Sequence, residues 1–263
     1  MYQALTYSRV FSKEHPRDLV ARLLGLDHVQ QRILLDVDGS VHKGIYEKKL
    51  RGITNADMAV YLALSMPLSL LPAFVKENIA IYQYDKKTLG NGVAPEDREE
   101  HTRYLVNRFC DALQAVPSSL VERAAVRMPK LAYPHARETI SLFRGQKALI
   151  SCGVQEVVDA YGAYLGAVHR FGNPIHGERK LCGAVDKERI ASELADGVSR
   201  MHIIGDTCDD VGMLAAAKRH NPESVAIALH GRSEALEGSA DIIAGSWREL
   251  HEVIDNYSSV RLF

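Results

Sequence analysis

A chain of 263 residues, 46% hydrophobic and 25% charged with a net charge of −1, has the composition of a globular protein and no surplus of basic charge, so nucleic acid is excluded as the expected partner. Its four cysteines, Cys110, Cys152, Cys182 and Cys208, include no C-x-x-C pair, which points away from a disulfide framework or zinc site and towards a reducing cytoplasm. No apolar run reaches the length of a membrane span and the N-terminal residues lack a signal-peptide core, so a soluble protein with no membrane contact is expected.

In chain order, residues 1–15 have no clear pattern. Pro16, Asp18 and Gly25 then bound a short helix, which is expected to pack on the edge of the core or on a second subunit. A homodimer formed through this N-terminal region is the expectation that follows. The run ILLDVDGSV, from Ile33 to Val41, reads as a buried strand ending in two carboxylates, Asp36 and Asp38, and a Gly39-Ser40 turn. Residues 44–145 carry helix signals almost throughout. One helix starts near Asn55 and stops at Pro67, another runs to about Lys76, residues 85–92 read as a loop, and Pro95 opens a long amphipathic helix with acids in its first turn. This block is long enough to be a small domain of its own.

After Gly145 strand and helix signals alternate. Strands are expected at residues 147–151, 167–171, 201–205, 224–229 and 240–243, with helices between them and a last helix capped by Ser246. Alternation of this kind gives a mainly parallel sheet. Asp36/Asp38, Ser151, Lys187 and Asp206/Asp210 all stand at strand ends or helix starts, which in such a sheet share one rim. A carboxylate can attack phosphorus, a second acid can protonate the leaving oxygen, and a lysine, a hydroxyl and a hard cation held by carboxylates can screen the charge. Phosphoryl transfer is the chemistry to which these residue types point. The bland alternatives are ordinary turn acids at Asp36 and Asp38, a surface lysine at Lys187 with Lys180 in its place, and a plain strand end at Ser151. Cys152 and Cys208 read as small buried residues rather than nucleophiles.

DVDGS at residues 36–40, LISCG at 149–153, Lys187 in VDKERI and IIGDTCDD at 203–210 resemble, in order, the four motifs of the haloacid dehalogenase-like (HAD) hydrolases, and most closely those of phosphoserine phosphatase-like members. The resemblance implies a Rossmann-like, mainly parallel α/β core made of residues 1–43 and 146–263, with residues 44–145 inserted as a helical cap. It also implies a nucleophile at Asp36 and a general acid and base at Asp38, whose carbonyl joins a Mg²⁺ site with Asp36, Asp206 and Asp210. Ser151 and Lys187 would bind the phosphoryl group. Gly39, Ser40 and Gly153 would line the substrate, with Glu47 and Arg51 as loosely assigned cap contacts. Asp209 stands where many members carry Asn, and Ser40 replaces the more frequent Thr.

A Mg²⁺-dependent phosphatase acting on a small phosphorylated metabolite is therefore the leading expectation. A phosphotransferase or mutase using the same aspartyl phosphate, and a non-catalytic phosphate-ligand-binding protein, are the alternatives. The basic residues Lys43, Lys48, Lys49 and Arg51 are read either as a solvated face or as a hold for an anionic substrate.

Overall fold

The computed structural model describes residues 3–4, 10–25, 30–45, 53–90, 95–181, 183–230 and 233–258. Its centre is an eight-stranded sheet in the order β1-β2-β8-β7-β6-β3-β4-β5. The strands are β1 (Gln3–Ala4), β2 (Val10–Ser12), β3 (Gln31–Leu35), β4 (Gln146–Val154), β5 (His169–Asn173), β6 (Arg200–Gly205), β7 (Ala226–Leu229) and β8 (Ile242–Ala244). The run from β8 to β5 is parallel, while β2 joins β8 antiparallel and β1 pairs antiparallel with β2. The patternless N-terminus thus supplies an antiparallel edge to an otherwise parallel sheet.

Every residue of β3, β6 and β7 is buried, as central strands covered on both faces must be. Successive side chains alternate between the faces. Ile33 and Leu35 join one apolar layer, and Leu34 joins the layer opposite with Ala148, Ile150, Met201 and Ile203. Helices α1 (Pro16–Leu23), α6 (Ala136–Leu142), α7 (Gln155–Leu165) and α11 (Trp247–Ser258) pack on the first face, where α1 lies on α11. Helices α8 (Ala184–Glu193), α9 (Val211–His220) and α10 (Glu234–Ser239) cover the other. Ser246 caps α11 from both sides, its Oγ accepting from the Glu249 amide and donating to the Glu249 carboxylate, each at 3.2 Å.

Among the described residues, four more helices lie between β3 and β4, α2 (Thr54–Ser65), α3 (Leu71–Gly90), α4 (Pro95–Gln114) and α5 (Ser118–Ala125), followed by a 3₁₀ turn at Met128–Leu131. Their Met58, Leu62, Phe74, Val106, Phe109, Leu113 and Val121 are continuous with the apolar layer on the first face of the sheet. The outgoing and returning chains run side by side: Tyr133 N donates to Val41 O at 2.8 Å and Lys43 N to Leu131 O at 2.9 Å.

One local expectation is overturned. Residues 85–92 were expected to form a loop after a helix ending near Lys76, but α3 continues unbroken to Gly90. Tertiary packing extends it. Tyr84 stacks on His101 and packs at a tilt against Tyr104 of α4, and Asp85 meets His101 Nε2 at 2.9 Å. Those contacts outweigh the weak helix propensity of a polar stretch.

Candidate active site

Strand β3 ends at Leu35, and the Asp36 amide still donates across to Ile204 O of β6 at 3.0 Å. The next residues turn sharply. Gly39 takes φ +77°, and the Val41 and His42 amides both fold back onto Val37 O. Asp36 and Asp38 therefore point beyond the carboxyl end of the central strand, the crevice where open α/β sheets hold ligands.

Asp36 is 2% exposed. Lys187, in the first turn of α8 and equally buried, donates to Asp36 Oδ1 at 2.8 Å and to Asp210 Oδ1 at 2.7 Å. The surface alternative for Lys187 is overturned, and Lys180 pairs instead with Glu178 on the outside. The second Asp210 oxygen accepts from the Asp206 and Thr207 amides at 2.9 and 3.0 Å, making one half of a capping box with Thr207. A side chain at Gly205 would strike this carboxylate, so the glycine is what lets Asp210 fold back over its own loop. Asp206 is held from another direction, by Ser40 Oγ donating to its Oδ1 at 2.9 Å.

Asp38 is pinned at two points. Thr54 N, at the start of α2, donates to its Oδ1 at 2.6 Å, and Ser151 Oγ donates to its Oδ2 at 2.8 Å. Ser151 lies inside β4, where the pairing with β5 slips between Ile150 and Val154, and its oxygen accepts from Gly153 N at 3.1 Å. A Cβ on Gly153 would sit 2.7 Å from Thr54 Oγ1, 3.2 Å from Asp38 Oδ2 and 3.3 Å from Ser151 Oγ. Only glycine leaves that polar cradle open.

The charges do not balance. Burial pushes the Asp36 carboxyl well above the usual range; Lys187 pulls it down, while Asp210, Asp206 and Asp38 push it further up. Burial opposes the charge on Lys187 too, but Asp210 and Asp36 overcome it and hold the ammonium well above its ordinary value. Asp209 is raised by burial and by Asp210, against Lys187 and Arg98. A buried group with surplus negative charge and hard oxygen donors is the chemistry of a divalent cation site. Asp36, Asp206 and Asp210 each offer an oxygen within 4.8 Å of the others, so the residues present fit Mg²⁺. The Cys152 thiol is pushed well above its ordinary value by burial, with Asp209, Asp36 and Asp38 adding to the effect against Lys187, which leaves it a poor nucleophile.

The structure thus brings Asp36, Asp38, Gly39, Ser40, Ser151, Gly153, Lys187, Asp206 and Asp210 to one rim. Glu47 and Arg51 lie outside the described residues, as do Lys48 and Lys49. Sequence reasoning missed Thr54, whose contact with Asp38 is made by a main-chain amide that any residue type could supply. It also missed Trp247, whose Nε1 donates to Ser40 O at 2.7 Å.

No family profile matches the sequence, and neither does any curated protein. Solved structures do match, and they place the chain in the fold class of the HAD-family phosphatases. A phospho-aspartyl intermediate analogue of phosphoserine phosphatase aligns over 87% of this chain and 99% of its own, with a TM-score of 0.59 and 19% identity. Two others give the range: cytosolic 5'-nucleotidase IIIB bound to cytidine (TM-score 0.59, 11% identity, 93% and 92% covered) and a HAD family hydrolase from Salmonella enterica subsp. enterica serovar Typhi (TM-score 0.58, 14% identity, 87% and 76% covered). At these identities the likeness is one of fold.

Proposed function

We propose that this chain is a Mg²⁺-dependent phosphomonoesterase acting on a small phosphorylated metabolite through an aspartyl phosphate. The observation that carries this reading is the buried Lys187, bound to both Asp36 and Asp210 beside Asp206, with Asp38 held two residues beyond the attacking acid. A Mg²⁺ ion held by Asp36, Asp206, Asp210 and the Asp38 carbonyl would supply charge neutralisation.

In the first step an Asp36 carboxylate oxygen bonds to phosphorus, the ester P–O bond breaks, and Asp38 gives its proton to the leaving oxygen. In the second step water attacks the acyl phosphate, Asp38 takes the water proton, and the P–O bond to Asp36 breaks to release phosphate. Lys187 steadies the charge on the transferring group. Asp210 belongs to the same oxygen cluster, and its hydrogen bonds give it the further task of holding Lys187 and the loop. Residues 44–145 serve as the cap. Their approach to the site from two directions supports this: Thr54 N meets Asp38, and Arg98 in the first turn of α4 meets Cys208.

The test is release of inorganic phosphate from a panel of phosphorylated metabolites and an aryl phosphate, with and without Mg²⁺, by wild type and Asp36→Asn. Metal-dependent turnover that disappears in the variant is expected. Turnover that survives Asp36→Asn would overturn the aspartyl-phosphate route.

A further inference from the structure

Behind the acids lies a second polar construction, whose side chains His42, Asp57 and Tyr161 are all 0% exposed. Burial, with Asp38, Tyr164 and Asp57 adding, pushes the Tyr161 phenol well above its ordinary range, so it remains a donor. It donates to the Met128 carbonyl at 2.8 Å and so accepts from His42 Nδ1 at 2.6 Å. His42 Nε2 lies 2.8 Å from Asp57 Oδ2, which also accepts the Ile45 amide at 3.1 Å. Four stretches of chain meet here: the outgoing passage after β3, the first turn of α2, the 3₁₀ turn before the returning passage, and α7 of the core.

A buried polar pair loses its hydration, and apolar residues of the same size would hold the elements together as well or better. What such a pair adds is one geometry. Here that geometry is the first turn of α2, fixed by Asp57 to His42 and by Asn55, whose Oδ1 accepts the Val154 amide at 3.3 Å. The turn so fixed presents Thr54 N to Asp38 Oδ1. Among the described residues the Thr54 hydroxyl is buried without a hydrogen-bond partner and faces the cradle around Gly153, so this turn is built into the site itself.

We propose that His42 and Asp57, through Tyr161 and α2, are positioning residues for proton transfer: they hold the Thr54 amide on Asp38 so that this carboxyl meets the leaving oxygen. The inference rests on the phosphatase reading and adds to it residues that touch neither substrate nor phosphate. Thr54 opens α2 and Ile53 before it is extended (φ −78°, ψ 115°), a backbone that accepts proline at position 54. Thr54→Pro therefore deletes the amide hydrogen, and Thr54→Ala deletes only the hydroxyl.

The experiment measures kcat and KM for p-nitrophenyl phosphate, phenyl phosphate and glycerol phosphate, whose leaving groups need protonation to increasing degrees. Relative to Thr54→Ala, Thr54→Pro should lose about tenfold or more in kcat on glycerol phosphate, as should Asp57→Asn relative to wild type, each with KM nearly unchanged and little loss on p-nitrophenyl phosphate. An equal loss on every ester, or none, overturns the inference while leaving the phosphatase reading intact. Wild type inactive on all three esters overturns that reading instead. If Thr54→Pro does not fold, Asp57→Asn and His42→Asn decide the matter by the same leaving-group pattern.

Discussion

At the scale of single residues, Lys187 carries the most. It is the cation lying between Asp36 and Asp210, both buried, and a buried pair that loses one partner leaves an uncompensated charge costing about 3–5 kcal/mol. Lys187→Met should therefore abolish turnover and also lower the urea midpoint by a margin well beyond that of a surface substitution. A variant as stable as wild type would mean that the acids are neutralised by some other means. Glu156 offers a second, gentler case on the first turn of α7. Burial raises its carboxyl above the usual range, and its Oε2 is buried without a partner among the described residues. The penalised form is the charged one, so the stability is fully present below the unfolded pKa and is lost as pH rises through the folded one. Glu156→Gln should raise the melting temperature by about 2 °C near pH 7.5 and leave it unchanged near pH 4. A gain of the same size at both pH values would trace the effect to packing rather than charge.

At the scale of elements, two helices reach the rim by their N-termini and do different work. The start of α2 places a main-chain donor on Asp38, and the first turn of α8 buries Lys187 against the acids. Helix α11 acts from behind, since its Trp247, 1% exposed, donates to the Ser40 carbonyl and steadies the turn that carries Ser40 Oγ to Asp206. The long α3 and α4 pair does something else again. It is closed near one end by Tyr84, Tyr104, His101 and Asp85, well away from the sheet in sequence.

At the scale of the whole molecule, the acid cluster is a stability cost carried at the candidate site. Burial raises the Asp36 carboxyl, and repulsion from Asp210 and Asp206 adds to it against the pull of Lys187. With EDTA present, Asp206→Asn should melt above wild type. Added Mg²⁺ at a hundredfold its Kd should stabilise wild type by about 2.7 kcal/mol and shift the variant far less, as followed by thermal melts. Equal shifts in both proteins would place the ion elsewhere.

The residues alone specify the alternation of strands and helices after Gly145, the buried strand ending in Asp36 and Asp38, and the acidic end of β6, because period and turn chemistry are local properties. They also determine which side-chain types are available for phosphoryl chemistry. Tertiary structure alone decided the rest. The β1–β2 pair finds its place on the edge of β8, and α3 runs on to Gly90 against α4. His42 and Asp57 look like ordinary polar residues in the sequence and become a buried pair only when α7 closes over them. Each of these depends on surfaces from distant segments meeting, and the free energy of that meeting is written in no single stretch of chain.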